Sequence, residues 1–93
     1  MKFRYGFGTS FLFMFTGIIE AISPLQKKTE TTLCLLRPKH FSDLKKGQSI
    51  AVNGACLSIV FFDKKTISFD IAKETWARTN LSTSAMYNLE RAL

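Results

Sequence analysis

Hydrophobic and polar residues alternate with a period of two in the second half of the chain. In TISFDI (66–71) every second residue is large and apolar, and the residues between them are Thr, Ser and Asp. QSIAVNG (48–54) alternates in the same way, with Ile50 and Val52 on one face. This period is typical of strands that bury one face. The pattern therefore predicts a strand in each stretch.

Two further apolar runs extend this pattern. TTLCLLR (31–37) and ACLSIVFF (55–62) are bounded by polar residues and predict two more strands. DKK (63–65) is short enough for a hairpin turn, and KKGQ (45–48) places Gly47 where a positive φ is tolerated. Several short strands separated by turns indicate a small antiparallel barrel or sandwich.

Three segments between the strands predict bends or helical turns. Gly54 lies between two apolar runs and predicts a bulge or a bend. HFSDLKK (40–46) suits one helical turn after its serine, and AKETWART (72–79) suits another. In the second segment Glu74 and Arg78 are four residues apart, a spacing that predicts a surface ion pair.

Length, composition and charge place the chain among small globular domains. Its 93 residues suit one domain, and its net charge of +6 suggests nucleic acid or membrane as a partner. The lysines, however, fall in separate pairs at 27–28, 45–46 and 64–65, which predicts solvated charge in turns. A nucleic-acid-binding barrel, the alternative, needs aromatic and basic residues on one strand face, where 66–71 carries Thr, Ser and Asp. We expect neither nucleic acid nor a membrane as a partner.

The two cysteines, Cys34 and Cys56, both fall in apolar stretches. They form no CxxC motif, and His40 is the only histidine in the sequence, so the usual ligands of a zinc site are not available. We expect two buried free thiols in a reducing compartment, with one disulfide as the alternative. His40 is interpreted as a surface loop residue, and no metal site is predicted.

The apolar run SFLFMFTGIIEAIS (10–23) has three interpretations. A transmembrane helix needs about 20 apolar residues, whereas the run from Phe11 to Ile19 is nine residues long and contains Thr and Gly. A secretion signal fits the basic start and the small residues near the end, but Glu20 and Pro24 flank the cleavage point. The third interpretation is the first strand of a soluble domain.

Four motifs, in family order and with family-like spacing, carry a resemblance. MFTGIIE (14–20) resembles the start of riboflavin synthase, the alpha-type enzyme built from two similar barrels. DLKKGQSIAVNGACLSIV (43–60) is similar to the family's L..GDSIAVNGVCLTV segment, and FDIAKETWARTNL (69–81) to its ETLRRTNL segment. NLERAL (88–93) resembles the strand that closes the first barrel. The position of the first motif favours a strand over 14–23 and not a secretion signal.

The resemblance implies an all-β fold, a six-stranded antiparallel Greek-key barrel with one or two short helical turns. It also implies a reaction in which one 6,7-dimethyl-8-ribityllumazine donates a four-carbon unit to another, giving riboflavin and a pyrimidinedione without a metal or organic cofactor. In the family the full-length enzyme is a homotrimer, with its active site between the first barrel of one subunit and the second barrel of a neighbour. A non-catalytic lumazine- or flavin-binding barrel is the alternative. We expect a cytoplasmic protein.

The resemblance also implies which residues line the ligand. They come from the first motif, from the CLS segment and from the DIAKET segment, and backbone groups, hydroxyls and a close-approaching glycine are suited to the polar edge of a pteridine. The residues are Phe15, Gly17, Ile18, Ile19, Cys56, Leu57, Ser58, Asp70, Ile71, Ala72, Lys73, Glu74 and Thr75.

Each of these segments also has a purely structural interpretation. Residues 17–19 suit an ordinary first strand, and Phe15 suits core packing. Cys56 and Ser58 are the candidates for a catalytic role, with a buried core strand as the alternative. Ser58 stands where threonine is common in the family, so the hydroxyl is kept and a methyl contact is lost. Thr75 is alternatively a helix cap.

The chain departs from the family pattern in three places. Residues 1–13 precede the usual starting methionine and are interpreted as an N-terminal extension from a misassigned start, which leaves 14–93 as the first of the two family barrels. Only STSAM (82–86) separates TNL from the closing strand, so the register of that strand stays open. The second barrel, with the acid and the serine that it supplies, is missing from the sequence. We therefore expect an enzyme fragment that is inactive or nearly so alone.

Overall fold

A computed structural model describes residues 18–91, so the predictions for Phe15, Gly17 and the extension 1–13 lie outside the described part. The described residues form strands β1 (Ala21–Lys28), β2 (Thr32–Leu36), β3 (Ser49–Val52), β4 (Ala55–Phe62), β5 (Thr66–Asp70) and β6 (Met86–Arg91), with one helix, α1 (Lys73–Arg78). The strands predicted from alternation and from the apolar runs are confirmed.

The strands close into an antiparallel barrel in the order β1-β2-β5-β4-β3-β6. Strands β3, β4 and β5 pair in sequence, and β6 returns to lie beside β3. A fourth strand that returns beside the first of three consecutive strands makes a Greek key. The predicted fold class is therefore confirmed, and closure leaves no strand of the barrel with an open edge.

Strand β1 is shared between the two halves of the barrel. Its first half pairs with β6, with Ala21 opposite Leu89, and its second half pairs with β2, with Lys28 opposite Leu33. The register of the β1–β2 ladder shifts near residue 26, as it does where a bulge lets a strand bend from one sheet into another.

The prediction that the first strand covers 14–23 is wrong for residues 18–20, which form no strand, and incomplete at its other end. β1 continues through Pro24 to Lys28 because the second half of the strand finds backbone partners on β2. The predicted turn at 27–28 is consequently the exposed end of a strand, whereas 45–46 and 64–65 lie in bends and turns as predicted.

Two of the connections depend on residues with a specific turn chemistry. Asn53 and Gly54, with φ of 50° and 85°, form the two-residue loop between β3 and β4, as type I′ hairpins require. Gly54 therefore belongs to a hairpin turn and not to a bulge within a strand.

In the β4–β5 turn, Asp63 Oδ1 accepts the N–H groups of Lys65 and Thr66 at 2.8 Å each, and these two bonds lower the pKa of the carboxyl. Gly47 has the predicted positive φ.

The interior of the barrel is filled by the inward-facing residues of the strands. Burying each large apolar side chain contributes about 1.5–3 kcal/mol relative to exposure. Tyr87, on β6, is fully buried, and its hydroxyl shares one proton between Leu81 O at 2.6 Å and Ser84 O at 2.9 Å. Burial raises the pKa of this phenol. The fully buried side chains are Leu33, Leu35, Phe41, Ile50, Val52, Ile59, Ile67, Phe69, Leu81, Tyr87 and Leu89.

One of the two predicted helical turns is present. α1 confirms the turn over 72–79, whereas 40–46 forms no helix because local turns replace it: Phe41 N–H bonds to Pro38 O, and Lys45 N–H bonds to the Gln48 side chain. Among residues 18–91, no helix is long and apolar enough to cross a membrane.

Candidate functional site

The first part of β4 presents its candidate residues alternately outward and inward. Cys56 and Ser58 are exposed on the outside of the barrel, and Leu57 between them is buried in the core. The prediction of two buried thiols is therefore wrong for Cys56, and Cys34 is half-buried. The alternation of the strand, and not the apolar character of its neighbours, decides which side chains reach solvent. Both thiols are free, as expected.

The end of β5 brings a second group of candidates beside the first. β4 and β5 pair with Ile59 opposite Phe69, and one further step of this register places Ser58 beside Asp70. Both residues are exposed on the outer surface. On the other side of β4, Ser49 lies opposite Ser58. These three short polar side chains, which we call the outer polar row (Ser49, Ser58 and Asp70), cross three neighbouring strands.

The segment after β5 extends this surface into α1. Ile71 is buried, and residues 72–74 are exposed. The helix begins after Ala72, which makes no side-chain capping bond, so the interpretation of Thr75 as a helix cap is wrong. Thr75 O instead accepts the hydroxyl of Thr79 at 2.7 Å. Ala72, Lys73 and Glu74 are thus exposed beside the outer polar row.

Helix α1 is held to the barrel by its tryptophan. None of the helical residues is buried, but Trp76 Nε1 donates to Glu30 O at 2.7 Å in the β1–β2 turn. The ion pair predicted between Glu74 and Arg78 does not form. Their side chains face solvent, where pairing adds little stability.

The candidates from the first motif lie elsewhere on the barrel, before the start of β1. Ile18 and Ile19 precede β1 and are 68% and 53% exposed. Just after them, Glu20 forms a two-point ion pair with Arg91, with Glu20 Oε1 3.1 Å from Nε and Glu20 Oε2 3.1 Å from Nη2. Arg91 pairs with Ile50 on β3, which pairs with Leu57 on β4. The segment 18–20 is thus about three strand spacings, roughly 14 Å, from β4.

Electrostatics at this end of the barrel centre on Arg91. Hydrogen bonds from its guanidinium lower the pKa of Glu20. The same bonds, with a contribution from Asp43, raise the pKa of Arg91. The guanidinium also lies 4.4 Å from the ring centroid of Phe41, a distance typical of a cation–π contact. His40 is exposed, as predicted, with Nε2 3.2 Å from Glu20 O.

The structure therefore places the sequence candidates in two groups. Residues 56–58 and 70–75 lie side by side on β4, β5 and α1, and residues 18–19 lie across β6 and β3 from them. The sequence pattern does not reveal Ser49 as a site residue, because it predicts the face of β3 on which Ser49 lies but not its neighbour on β4. It does not reveal Arg91 either, because the partner of Arg91 is 71 residues away. Among the described residues, no cluster of three His, Cys, Asp or Glu side chains is suited to hold a metal ion.

Known proteins are similar to this chain over most of its length. The family model of the lumazine binding domain matches residues 16–92. The chain is 40% identical over 87 residues to a riboflavin synthase of Bacillus amyloliquefaciens, a match that covers 86% of this chain and 40% of that protein. It is 37% identical over 87 residues to a riboflavin synthase of Escherichia coli, covering 85% and 41%.

A eukaryotic riboflavin synthase, from Schizosaccharomyces pombe, is 36% identical over 88 residues, covering 86% of this chain and 42% of that protein. The chain thus spans about two-fifths of the length of these curated relatives. The resemblance to riboflavin synthase that the motifs carry is confirmed, and the chain belongs to the lumazine-binding domain family.

Proposed function

We propose that this barrel binds 6,7-dimethyl-8-ribityllumazine or riboflavin on the outer surface formed by the outward-facing residues of 56–58 and 70–75, as one barrel of a riboflavin synthase. The observation that carries this proposal is the outer polar row, in which Ser58 lies between Ser49 and Asp70 beside the exposed start of α1. Membership of the lumazine-binding domain family supports the same ligand class.

The chemistry of this surface suits a polar heterocycle with a polyhydroxylated chain. The Ser58 hydroxyl can both donate and accept a hydrogen bond, and the Asp70 carboxylate can accept bonds from ribityl hydroxyls. The first N–H groups of a helix have no partner within it, so those of Lys73 and Glu74 are suited to ring carbonyls. The Cys56 thiol lies two residues from Ser58 on the same face of β4, where it contacts a ligand bound there.

We propose that the reaction is that of the relatives, in which two lumazine molecules yield riboflavin and a pyrimidinedione. Such a reaction needs two bound molecules facing each other, and the face described here holds one. The second face is supplied by another barrel in a homo-oligomer, and no metal or organic cofactor takes part. The isolated chain then binds ligand but has little or no turnover. We place it in the cytoplasm, where free thiols such as Cys34 and Cys56 persist.

A fluorescence titration of the lumazine with the purified 93-residue chain tests the binding proposal. We expect saturable binding that Ser58→Ala weakens about tenfold, the loss of one bond to the ligand. Ser82→Ala is the matched control, because Ser82 is also an exposed serine but lies beside Lys28, which donates to its carbonyl at 2.5 Å. Equal affinities of wild type and Ser58→Ala would place the ligand elsewhere, and no saturation by wild type would refute the proposal.

An absorbance assay for riboflavin separates the enzyme from its non-catalytic alternative. We expect the isolated chain to form riboflavin slowly or not at all. Addition of a second-barrel protein from a riboflavin synthase then restores turnover if this chain is a working half of the enzyme. Binding without turnover under both conditions would instead favour a lumazine- or flavin-binding protein.

A further inference from the structure

We infer that the ion pair between Glu20 and Arg91 is a positioning device, which diverts segment 18–20 out of the β1–β6 ladder and fixes Ile18 and Ile19 across β6 and β3 from the outer polar row. This inference rests on the proposed function, because it concerns how the second group of candidate ligand contacts, residues 18–19, is placed. Neither Glu20 nor Arg91 is proposed to touch the ligand.

The β1–β6 ladder breaks at its Glu20 end. Ala21 lies opposite Leu89, so a continued ladder would place residue 19 opposite Arg91. Instead, Glu20 N–H donates to Leu89 O at 2.9 Å, and Arg91 N–H donates to the Glu20 side chain, at 2.7 Å from Oε1. The carboxylate thus takes the place of a backbone acceptor, and residues 18–20 are outside the strand.

Arg91 is itself fixed by several contacts. Its guanidinium bonds to both oxygens of Glu20, donates from Nη1 to Asp43 Oδ1 at 2.9 Å and lies over the ring of fully buried Phe41. A planar guanidinium that meets a carboxylate at two points fixes orientation as well as distance. The side chains of Arg91 and Glu20 are 24% and 32% exposed, so solvent competes with this pair only in part.

The ion pair lies next to the two isoleucines of segment 18–20. Glu20 immediately follows Ile18 and Ile19, and both isoleucines are exposed. They lie across β6 and β3 from the outer polar row, where β-branched apolar side chains are suited to cover the apolar part of a ring system that extends across these strands. A segment fixed before binding also avoids an ordering cost on binding. Loss of the ion pair should therefore weaken binding without removing a group that contacts the ligand.

The test compares two variants of the pair with a control in the full chain. Glu20→Gln keeps an acceptor for Arg91 N–H but removes the charge, and Arg91→Lys keeps the charge but removes the two-point contact. Asp63→Asn is the control, since it makes a carboxylate-to-amide change in the β4–β5 turn. We expect riboflavin and the lumazine to bind five- to tenfold more weakly to both variants of the pair, and normally to the control.

A second measurement separates this inference from the proposed function. We expect the NMR amide signals of Ile18 and Ile19 in the ligand-free protein to shift in Glu20→Gln and Arg91→Lys, and not in Asp63→Asn. Unchanged signals overturn the inference, as does wild-type affinity in both variants of the pair. If wild type binds neither compound while the signals shift, the proposed function fails and the positioning of segment 18–20 stands.

Discussion

Asn53 and Asn88 form a reciprocal pair in which the side-chain oxygen of Asn53 takes the place of a backbone acceptor. Asn53 N–H donates to Asn88 O at 2.9 Å, and Asn88 N–H donates to Asn53 Oδ1 at 2.8 Å. The side-chain Nδ2 of Asn53 donates further to Asn80 Oδ1 and Ser84 Oγ, at 3.3 and 3.2 Å. One turn residue thereby connects the β3–β4 hairpin, the loop after α1 and β6.

Replacement of Asn53 should destabilise the barrel through two separable causes. Asn53→Gly loses the side-chain bonds but tolerates the φ of 50°, and we expect a cost of about 1–2 kcal/mol. Asn53→Ala should cost about 1 kcal/mol more, because a Cβ disfavours the left-handed region. Urea unfolding measures both, and equal stability of Asn53→Gly and wild type would contradict the role of the bonds.

Stability should depend on pH through Glu20. Arg91 lowers the pKa of this carboxyl from its ordinary 4.5. A carboxyl of this kind adds stability that is fully present above the unfolded pKa and is lost as the pH falls through the folded pKa. We expect the free energy of unfolding of wild type to exceed that of Glu20→Gln by about 1 kcal/mol at neutral pH, and the difference to shrink in acid.

Denaturant unfolding between neutral pH and about pH 3 measures this difference. Glu30→Gln, at an exposed glutamate in the β1–β2 turn, serves as the control and should show a smaller difference at every pH. A Glu20→Gln difference that stays constant as the pH falls would show that the ionised carboxylate adds no stability.

Trp76 should control the order of α1 more than the stability of the barrel. Trp76→Phe keeps an aromatic ring but loses the bond to Glu30 O. We expect faster hydrogen exchange of the amides in 73–78 and a loss of about 1 kcal/mol or less in the free energy of unfolding. Weaker lumazine binding should accompany it. Unchanged exchange in α1 would show that the bond does not hold the helix.

The two cysteines should react at different rates with a disulfide reagent such as Ellman's reagent. Cys56 is exposed and Cys34 is half-buried, and access to the thiol limits the rate. We expect Cys56→Ser to remove the fast phase and Cys34→Ser to keep it. Bound riboflavin should slow the fast phase. A fast phase that persists in Cys56→Ser would place the accessible thiol at Cys34.

Much of this fold follows from local pattern. Alternation predicts β3 and β5, and the short polar segment at 63–65 predicts the β4–β5 hairpin, because side-chain phase and turn chemistry are local properties. Strand β1 is different. The apolar run suggests a strand that ends at residue 23, but pairing with β2 carries β1 through Pro24 to Lys28. Partners distant in sequence decide where that strand begins and ends.

In the candidate site, too, local motifs predict some features, and partners distant in sequence decide the others. The motifs point to residues 56–58 and 70–75, and the β4–β5 register places these two segments side by side. The exposure of Cys56 required the phase of β4 within a closed barrel, because its flanking residues are apolar on both sides. The ion pair of Glu20 with Arg91 joins residues that are 71 positions apart in the sequence, so only the topology reveals it.

The pairing of β1 with β6 has a consequence for the synthesis of the protein. The first strand of the barrel has no neighbour on one side until the last has been made, and Glu20 contacts a residue 71 positions further along. Contacts of such sequence separation form late and slowly in folding. On the ribosome, the β3–β4–β5 hairpins can pair as they emerge, but the barrel closes only after Arg91 has left the exit tunnel.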